Sequence, residues 1–293
     1  MIRVPRGPRD SIMKVSAYYP ADGNKLVCPV VRAFAEGVPN CGVFVDTSAY
    51  IKCDVLVIFG WVKYVYKKSY EKQRLMDAHN GPVIVLERGY LDRENYFAAG
   101  FGGINGRADF RNYNVPRNRW DRLCLELKPW IKGGDYVLVC GQIAHDVAVQ
   151  DSNHLDWCRE TVKTIRKMGY DVRFRPHPLM IRQAKKGRGF AYDVNCEQTT
   201  GSLERDFAGA MAVVTQSSNT GVEAVIAGIP TIACDQSMTM TRGVSGRSLL
   251  DLADPVKSDR EKWAHRLSYA QWTREEFRSG LAWRHLSGDM GDA

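Results

Sequence analysis

The second half of the chain holds several groups of residues with the types and spacing to grip a phosphorylated ligand. They are Gly141-Gln142, Arg175-Pro176-His177-Pro178, the run Gln216-Ser217-Ser218-Asn219-Thr220, and Glu223. An arginine forks onto phosphate oxygens, and a histidine donates to one or stacks on a base. Small hydroxyl residues where a helix begins sit beside unpaired backbone N–H groups, at the positive end of the helix dipole. Glu223 lies about one helical turn further in, where a carboxylate can take a pair of ribose hydroxyls. Each group also has a plain structural use: a glycine turn after a strand, a proline-stiffened loop, a serine cap. Their common position favours the ligand reading. Each turn follows a short apolar run that reads as a strand, and open α/β sheets gather ligands at the carboxyl ends of their strands.

The elements that must position these residues alternate along the chain. Val43–Val45, Val55–Ile58 and Val83–Leu86 read as buried strands in the first half, with a helical pattern over residues 69–79 between the last two. In the second half Tyr136–Cys140, Val172–Arg175, Ala212–Val214 and Thr231–Cys234 read as strands. An amphipathic helix over Leu155–Met168 and another after Thr220 lie between them. Strands alternating with helices imply parallel βαβ units and an α/β fold. Residues 101–130 are rich in Gly, Asn, Arg and aromatics, and this shift places a domain boundary near Lys132. The expected organisation is a domain over 1–132, a second over 133–258, and a helical tail over 259–293 that packs across the domain junction. The tail's aromatics Trp263, Tyr269, Trp272, Phe277 and Trp283 are spaced to face a core.

Composition narrows the classes. A chain of 293 residues that is 44% hydrophobic and 10% aromatic has the makings of a packed globular protein, not a disordered one. It has no apolar run long enough to span a bilayer, and its basic start has no apolar core after the charges, so the expected location is the cytoplasm. The 8 cysteines are scattered without a CxxC pair, which points to reduced thiols and away from zinc. The net charge of +8 suits a partner bearing phosphates, although many proteins are equally basic.

The combination Arg175-x-His177-Pro178, Ser217-Ser218, Glu223-Ala224 and Gly228-x-Pro230 resembles the carboxyl-terminal half of GT-B glycosyltransferases, in the capsule-polysaccharide and sugar-epimerase-like branch. The resemblance covers residues from about 135 to 250. It implies two Rossmann-like domains facing a cleft, with a nucleotide-sugar, such as a UDP-sugar, held mostly by the second. Carried over, Ser217, Ser218 and Asn219, with Thr220 beside them, would take the diphosphate. Gly141-Gln142 would approach it by backbone, Glu223 would accept the ribose hydroxyls, and His177 with Arg175 would flank the phosphates. Such enzymes need no permanently bound cofactor or metal, in keeping with the lack of a DxD acid pair at a strand end.

The first half resembles uncharacterised proteins of tailed phages and prophages. Inverting enzymes of this fold take the acceptor proton on a group of the first domain. Asp46 and Glu87 stand at suitable strand ends, although either also reads as a structural acid. Glu87-Arg88-Gly89-Tyr90 and the loop Gly102–Arg107 look like cleft walls. Lys63, Lys67, Lys68, Lys72 and Arg74 cluster here, and Arg107, Arg111, Arg117, Arg119 and Arg122 interleave with Phe110, Tyr113 and Trp120. Cations among aromatics suit a nucleic-acid surface, so the expected acceptor is a 5-hydroxymethyl pyrimidine in duplex DNA. A surface or capsule saccharide is the alternative acceptor. A sugar-nucleotide epimerase and a nucleotide-binding module without chemistry also stay open, and the oligomeric state is not set by the sequence.

Overall fold

A computed structural model describes residues 13–61, 70–149, 152–187 and 192–288. In chain order the first elements are β1 (Val15–Tyr19), α1 (Val27–Glu36), β2 (Cys41–Val45), β3 (Val55–Phe59), α2 (Tyr70–Ala78), β4 (Val83–Arg88), β5 (Tyr96–Phe101) and α3 (Asn118–Arg122). There follow β6 (Tyr136–Cys140), α4 (His154–Lys167), β7 (Val172–Arg175), α5 (Pro178–Lys185), β8 (Glu197–Gln198), α6 (Leu203–Ala208), β9 (Ala210–Thr215), α7 (Thr220–Ile226) and β10 (Thr231–Ala233). The chain ends with α8 (Glu261–Ser268), β11 (Gln271–Thr273), α9 (Arg274–Arg278) and α10 (Leu281–Ser287).

These elements form two compact units, one made of residues up to Arg119 together with those from His265, the other of Trp120–Ala264. The first unit has a six-stranded sheet in the order β11-β5-β4-β3-β1-β2. Strands β2, β1, β3 and β4 run parallel, while β5 and β11 add an antiparallel edge. The apolar face of α1 buries Val30, Val31 and Phe34 with Val15, Val57 and Ile84 of the sheet. Burial of each such side chain stabilises by about 1.5–3 kcal/mol. Phe277 of α9 meets Phe34 edge to face at 5.2 Å, so the end of the chain helps to close the core of its beginning.

The second unit has a five-stranded sheet, β10-β9-β6-β7-β8, parallel throughout. Cys158, Val162 and Ile165 of α4 pack on one set of strand side chains, Val137, Val139, Phe174 and Val214. Ala224 of α7 packs with the alternate set, Leu138 and Val213. A strand buried on both faces reads as a continuous apolar run, and for that reason β6, β7, β9 and β10 stand out in the sequence. The chain leaves β6 through α4 to β7 on one side, while β9 lies on the other. The strand order therefore switches between β6 and β9, and the loops after these strands flank that point.

Several sequence expectations need correction. The strands β1, β5 and β11 and the helix α1 are additional to those expected. The units divide after Arg119 and before His265, not at Lys132 and 259, because residues 120–132 are tied to the second unit. Lys128 N–H donates to Ile226 O at 3.0 Å and Ile131 N–H to Gly228 O at 2.9 Å. Gly228 has φ +76°, and a Cβ there would collide with the carbonyl oxygen of Pro129. Arg260 donates to Lys128 O at 2.6 Å and lies 4.0 Å over the ring of Trp130. The tail is not one helical run: β11 interrupts it, pairing Trp272 with Phe97 of β5. Gln271 Oε1 accepts from the N–H groups of Tyr90 and Leu91 at 2.7 and 2.9 Å, which fixes the strand in place.

Candidate functional site

Every expected donor-side residue lies at the carboxyl edge of the second unit's sheet, at the end of β7, in the loops after β6, β7 and β9, or in the first turn of α7. Their side chains are not used alike. Gln142 and Ser217 bond to one another: Gln142 Nε2 donates to Ser217 Oγ at 3.2 Å, and Ser217 N–H donates to Gln142 Oε1 at 2.8 Å. Ser217 Oγ also donates to Ala148 O at 3.2 Å. Both residues are buried. Tyr192 donates its hydroxyl to Gln142 O, and a Cβ at Gly141 would lie 2.8 Å from the rings of Phe174 and Tyr192. The small size of Gly141 thus serves close aromatic packing.

His154, the first residue of α4, ties the same loops together. Its Nε2 accepts from Gln142 N–H at 2.7 Å, so in the neutral ring Nδ1 carries the proton and donates to Gln216 Oε1 at 2.7 Å. Gln216 Nε2 donates in turn to Ser152 Oγ at 2.6 Å. The ring stacks on Trp157 with centroids 5.4 Å apart. Burial, the largest cause, holds the His154 pKa below the ordinary histidine value. A cavity of about 360 Å³ opens beside this network, lined by Ser152, Trp157, Gln216, Cys234, Asp235 and Gln236 among others. Gln236 Nε2 is turned inward, donating to Ala233 O at 2.7 Å.

Arg175 does not point away from the sheet edge as its proline neighbours suggest. Its guanidinium pairs with the Asp206 carboxylate and donates to Gly201 O at 2.8 Å. Asp206 is buried and also accepts from Thr199 Oγ1 at 2.7 Å. The arginine is thereby committed to holding the loop after β8 on α6. His177 caps α5: its Nδ1 accepts from Leu179 N–H at 3.1 Å, with Pro178 in the first turn. The neutral ring therefore carries its proton on Nε2.

The turn before α7 supplies its own first bonds. Thr220 N–H donates to Ser218 Oγ at 3.2 Å, Gly221 N–H to Ser218 O at 3.0 Å, and Val222 N–H to Asn219 O at 2.9 Å. Ser218, Asn219, Thr220 and Glu223 are half-buried, and Asn219 Nδ2 donates to Glu223 Oε1 at 3.3 Å. Half-buried side chains at this edge include those of His177, Ser218, Thr220 and Glu223.

In the first unit, Asp46 follows β2 and Glu87 lies near the end of β4, with Lys72 of α2 close to both in electrostatic terms. Burial, the largest cause, raises the Asp46 pKa and lowers that of Lys72. Of the expected basic surface, Lys63, Lys67 and Lys68 lie outside the described residues. Arg119 is buried: it grips both oxygens of Glu276 at 2.5 and 3.1 Å and lies 4.0 Å over Trp272. Phe110 and Trp120 are buried too. The guanidinium of Arg111 lies 4.9 Å over Phe101. Sequence spacing did not single out His154 or Asp206 as site residues, since their partners Gln216 and Arg175 are distant along the chain.

No protein-family model and no curated protein matches the chain. Among solved structures, it resembles a Thermosulfurimonas dismutans KpsC β-Kdo 2,4 transferase. That structure is 14% identical with a TM-score of 0.59, over 88% of this chain and 91% of that one. A second KpsC structure from the same organism, the β-Kdo 2,7 transferase, is 15% identical with a TM-score of 0.53, over 92% of this chain and 98% of that one. The fold is of the GT-B type. Two α/β units with parallel sheets are what that architecture consists of, and at these identities the likeness concerns the fold alone. Among the described residues no helix is long and apolar enough to cross a membrane.

Proposed function

We propose that the protein transfers a sugar from a nucleotide-sugar to an acceptor hydroxyl. The observation that carries this reading is the convergence of His177 with Ser218, Thr220 and Glu223 at one sheet edge. They stand on the loops after β7 and β9 and the helix that follows, on either side of β6 at the switch point. Hydroxyl and imidazole donors suit the phosphates of a UDP-sugar, and the Glu223 carboxylate suits its ribose diol. Arg175 shapes this wall through Asp206, and Gln142 with Ser217 holds its two sides in register. In the reaction the acceptor oxygen bonds to the anomeric carbon, the bond from that carbon to the phosphate oxygen breaks, and a carboxylate of the first unit, Asp46 or Glu87, takes the proton.

A saccharide hydroxyl is the acceptor this structure favours. The DNA reading drew on cations interleaved with aromatics, and of these Arg119, Phe110 and Trp120 are buried, with Arg119 held by Glu276. The test is incubation with UDP-, CMP- and GDP-sugars, each with a saccharide panel or with hydroxymethylated duplex DNA, followed by mass spectrometry of the acceptor. Added hexose mass on a saccharide supports the reading, and added mass on DNA moves the acceptor back to nucleic acid. Epimerised donor in the absence of any acceptor, or no nucleotide binding at all, overturns it.

A further inference from the structure

Phosphate and ribose binding at the α7 turn leaves the cavity beside His154 unused. At about 360 Å³ it falls in the size range of small-molecule sites, about 300–1,000 Å³. Ala148, Val149 and the indole of Trp157 give it apolar walls, while Ser152, Gln216, Asp235 and Gln236 give it polar ones. Among the described residues that line it there is one carboxylate, Asp235, and no cationic side chain. Burial pushes the Cys234 thiol up to about 11, so this residue adds no charge. Arg242, further along the loop after β10, is committed to backbone oxygens, donating to Gln236 O at 2.7 Å and to Ser237 O at 3.0 Å.

Two of the polar groups are fixed in place with capacity to spare. The Asp235 N–H donates to Gln216 O at 2.8 Å. Its Oδ1 accepts from Ser237 N–H at 2.9 Å, Ser237 Oγ at 2.7 Å and Met238 N–H at 3.1 Å. All three bonds fall on one oxygen, and Oδ2 accepts none among the described residues. Gln216 is held by His154 and Ser152, and its amide nitrogen carries a second hydrogen beyond the one given to Ser152 Oγ. A rigid acceptor and a rigid amide donor beside an indole suit a sugar, whose ring has hydroxyls around its edge and C–H groups on its faces.

The cavity also lies where the sugar of a bound donor falls. Trp157 belongs to α4 and Glu223 to α7, helices that pack on opposite faces of the sheet. The turn over residues 217–220 runs between them, with Gln216 just ahead of it. A donor with its ribose at Glu223 and its diphosphate along the turn therefore carries its sugar toward the α4 side. We propose that this cavity seats the donor's sugar, and that the sugar is a neutral one whose hydroxyls donate to Asp235 and accept from Gln216. This rests on the sugar-transfer reading and on its placement of the ribose. A sugar acid would bring a second carboxylate beside Asp235 with no cation in the cavity wall to offset the repulsion.

The test is calorimetric affinity, expressed as the gain that the sugar adds over the bare nucleotide. UDP is compared with UDP-glucose, UDP-N-acetylglucosamine and UDP-glucuronate, GDP with GDP-mannose, and CMP with CMP-sialate. The gain for the best neutral sugar should exceed that for either acidic one by about 10-fold or more. Asp235→Asn keeps an oxygen for the loop's own bonds and loses the second acceptor. It should weaken binding of the best neutral nucleotide-sugar by about 10-fold or more, with or without magnesium, and leave the bare nucleotide unchanged. Ser237→Ala, which removes one bond to Oδ1 only, should leave the gain in place. If thermal melting shows Asp235→Asn unfolded, the wild-type comparison of neutral with acidic sugars decides by itself. Equal gains for the two kinds of sugar overturn the assignment while sugar transfer stands. So does an Asp235→Asn loss that is the same for nucleotide and nucleotide-sugar, which would put Asp235 on the nucleotide or its metal. Absence of nucleotide binding by the wild-type protein overturns the transfer reading and this one with it.

Discussion

Gln142 and Ser217 bond to one another twice across the switch point of the second unit's sheet, side-chain amide to hydroxyl and backbone N–H to side-chain oxygen. The pair joins the loop after β6 to the loop after β9, so it sets the spacing of the edge on which His177 and Ser218 stand. Gln142→Leu leaves Ser217 N–H buried without its acceptor, and Ser217→Ala leaves the Gln142 amide without its partner. Each should cost about 1–3 kcal/mol in urea unfolding. The double variant should cost less than the sum, because the second change removes a group already orphaned. Additive losses would show that the two side chains are held independently.

Burial gives His154 a pH signature. Its folded pKa lies below the ordinary value near 6.5, so the neutral ring contributes stability that is fully present above that value and is lost as pH falls through the folded pKa. Protonation would also remove the acceptor for Gln142 N–H. The His285 pKa is lowered in the same direction, again by burial first. Asp46, whose pKa is raised, has the opposite sign: its contribution is lost as pH rises through its folded pKa. Comparing wild type with His154→Gln separates the terms. The unfolding free energy of the wild-type protein, from urea titration, should fall more steeply between pH 7 and 5, by at most about 1.4 kcal/mol per pH unit for the one proton. Parallel curves for the two proteins would show that His154 binds its proton equally well folded and unfolded.

Much of this fold is legible in the sequence where a strand is buried on both faces. Tyr136–Cys140 and Val172–Arg175 have the bounds expected from their apolar runs. The first unit's additional strands lack that signal. In β5, Tyr96–Phe101, alanines and a glycine weaken the pattern, and β11 is only three residues long within an aromatic stretch that reads as helix. The site divides in the same way. Strand-end position and residue type single out Ser217, Arg175 and Gln142, but not what each one touches. Arg175 meets Asp206 from 31 positions away and His154 meets Gln216 from 62, distances at which spacing carries no information until the sheet order is known.

Arg119 illustrates how a cation can be misjudged from composition. It reads as part of a basic surface, yet it is the hub of the first unit's closing segment, donating to Ser268 O, Gln271 O and Glu276. Arg119→Met should destabilise by about 3–5 kcal/mol, since it strands the largely buried Glu276 carboxylate. Lys cannot reproduce the fork, so Arg119→Lys should recover only part of the loss. A melting temperature within a degree of wild type for Arg119→Met would place Arg119 outside the packing of this unit.

Glu223 is the most direct check on the donor side. It lies in the first turn of α7, half-buried, with Asn219 Nδ2 donating to one of its oxygens at 3.3 Å. A half-buried carboxylate with a long bond to a neighbouring amide adds little to stability, because the bond exchanges with water at small net gain. A nucleotide ribose offers it hydroxyl donors in a drier setting, where the bond counts for more. Glu223→Ala should therefore weaken UDP binding by about 0.5–1.5 kcal/mol, or roughly 2- to 13-fold in Kd, while the melting temperature stays close to wild type. Glu223→Gln keeps one acceptor oxygen and should lose less. The opposite pattern, unchanged affinity with a large fall in melting temperature, would make Glu223 a brace of the α7 turn. In that case the ribose would have to be held elsewhere along the edge.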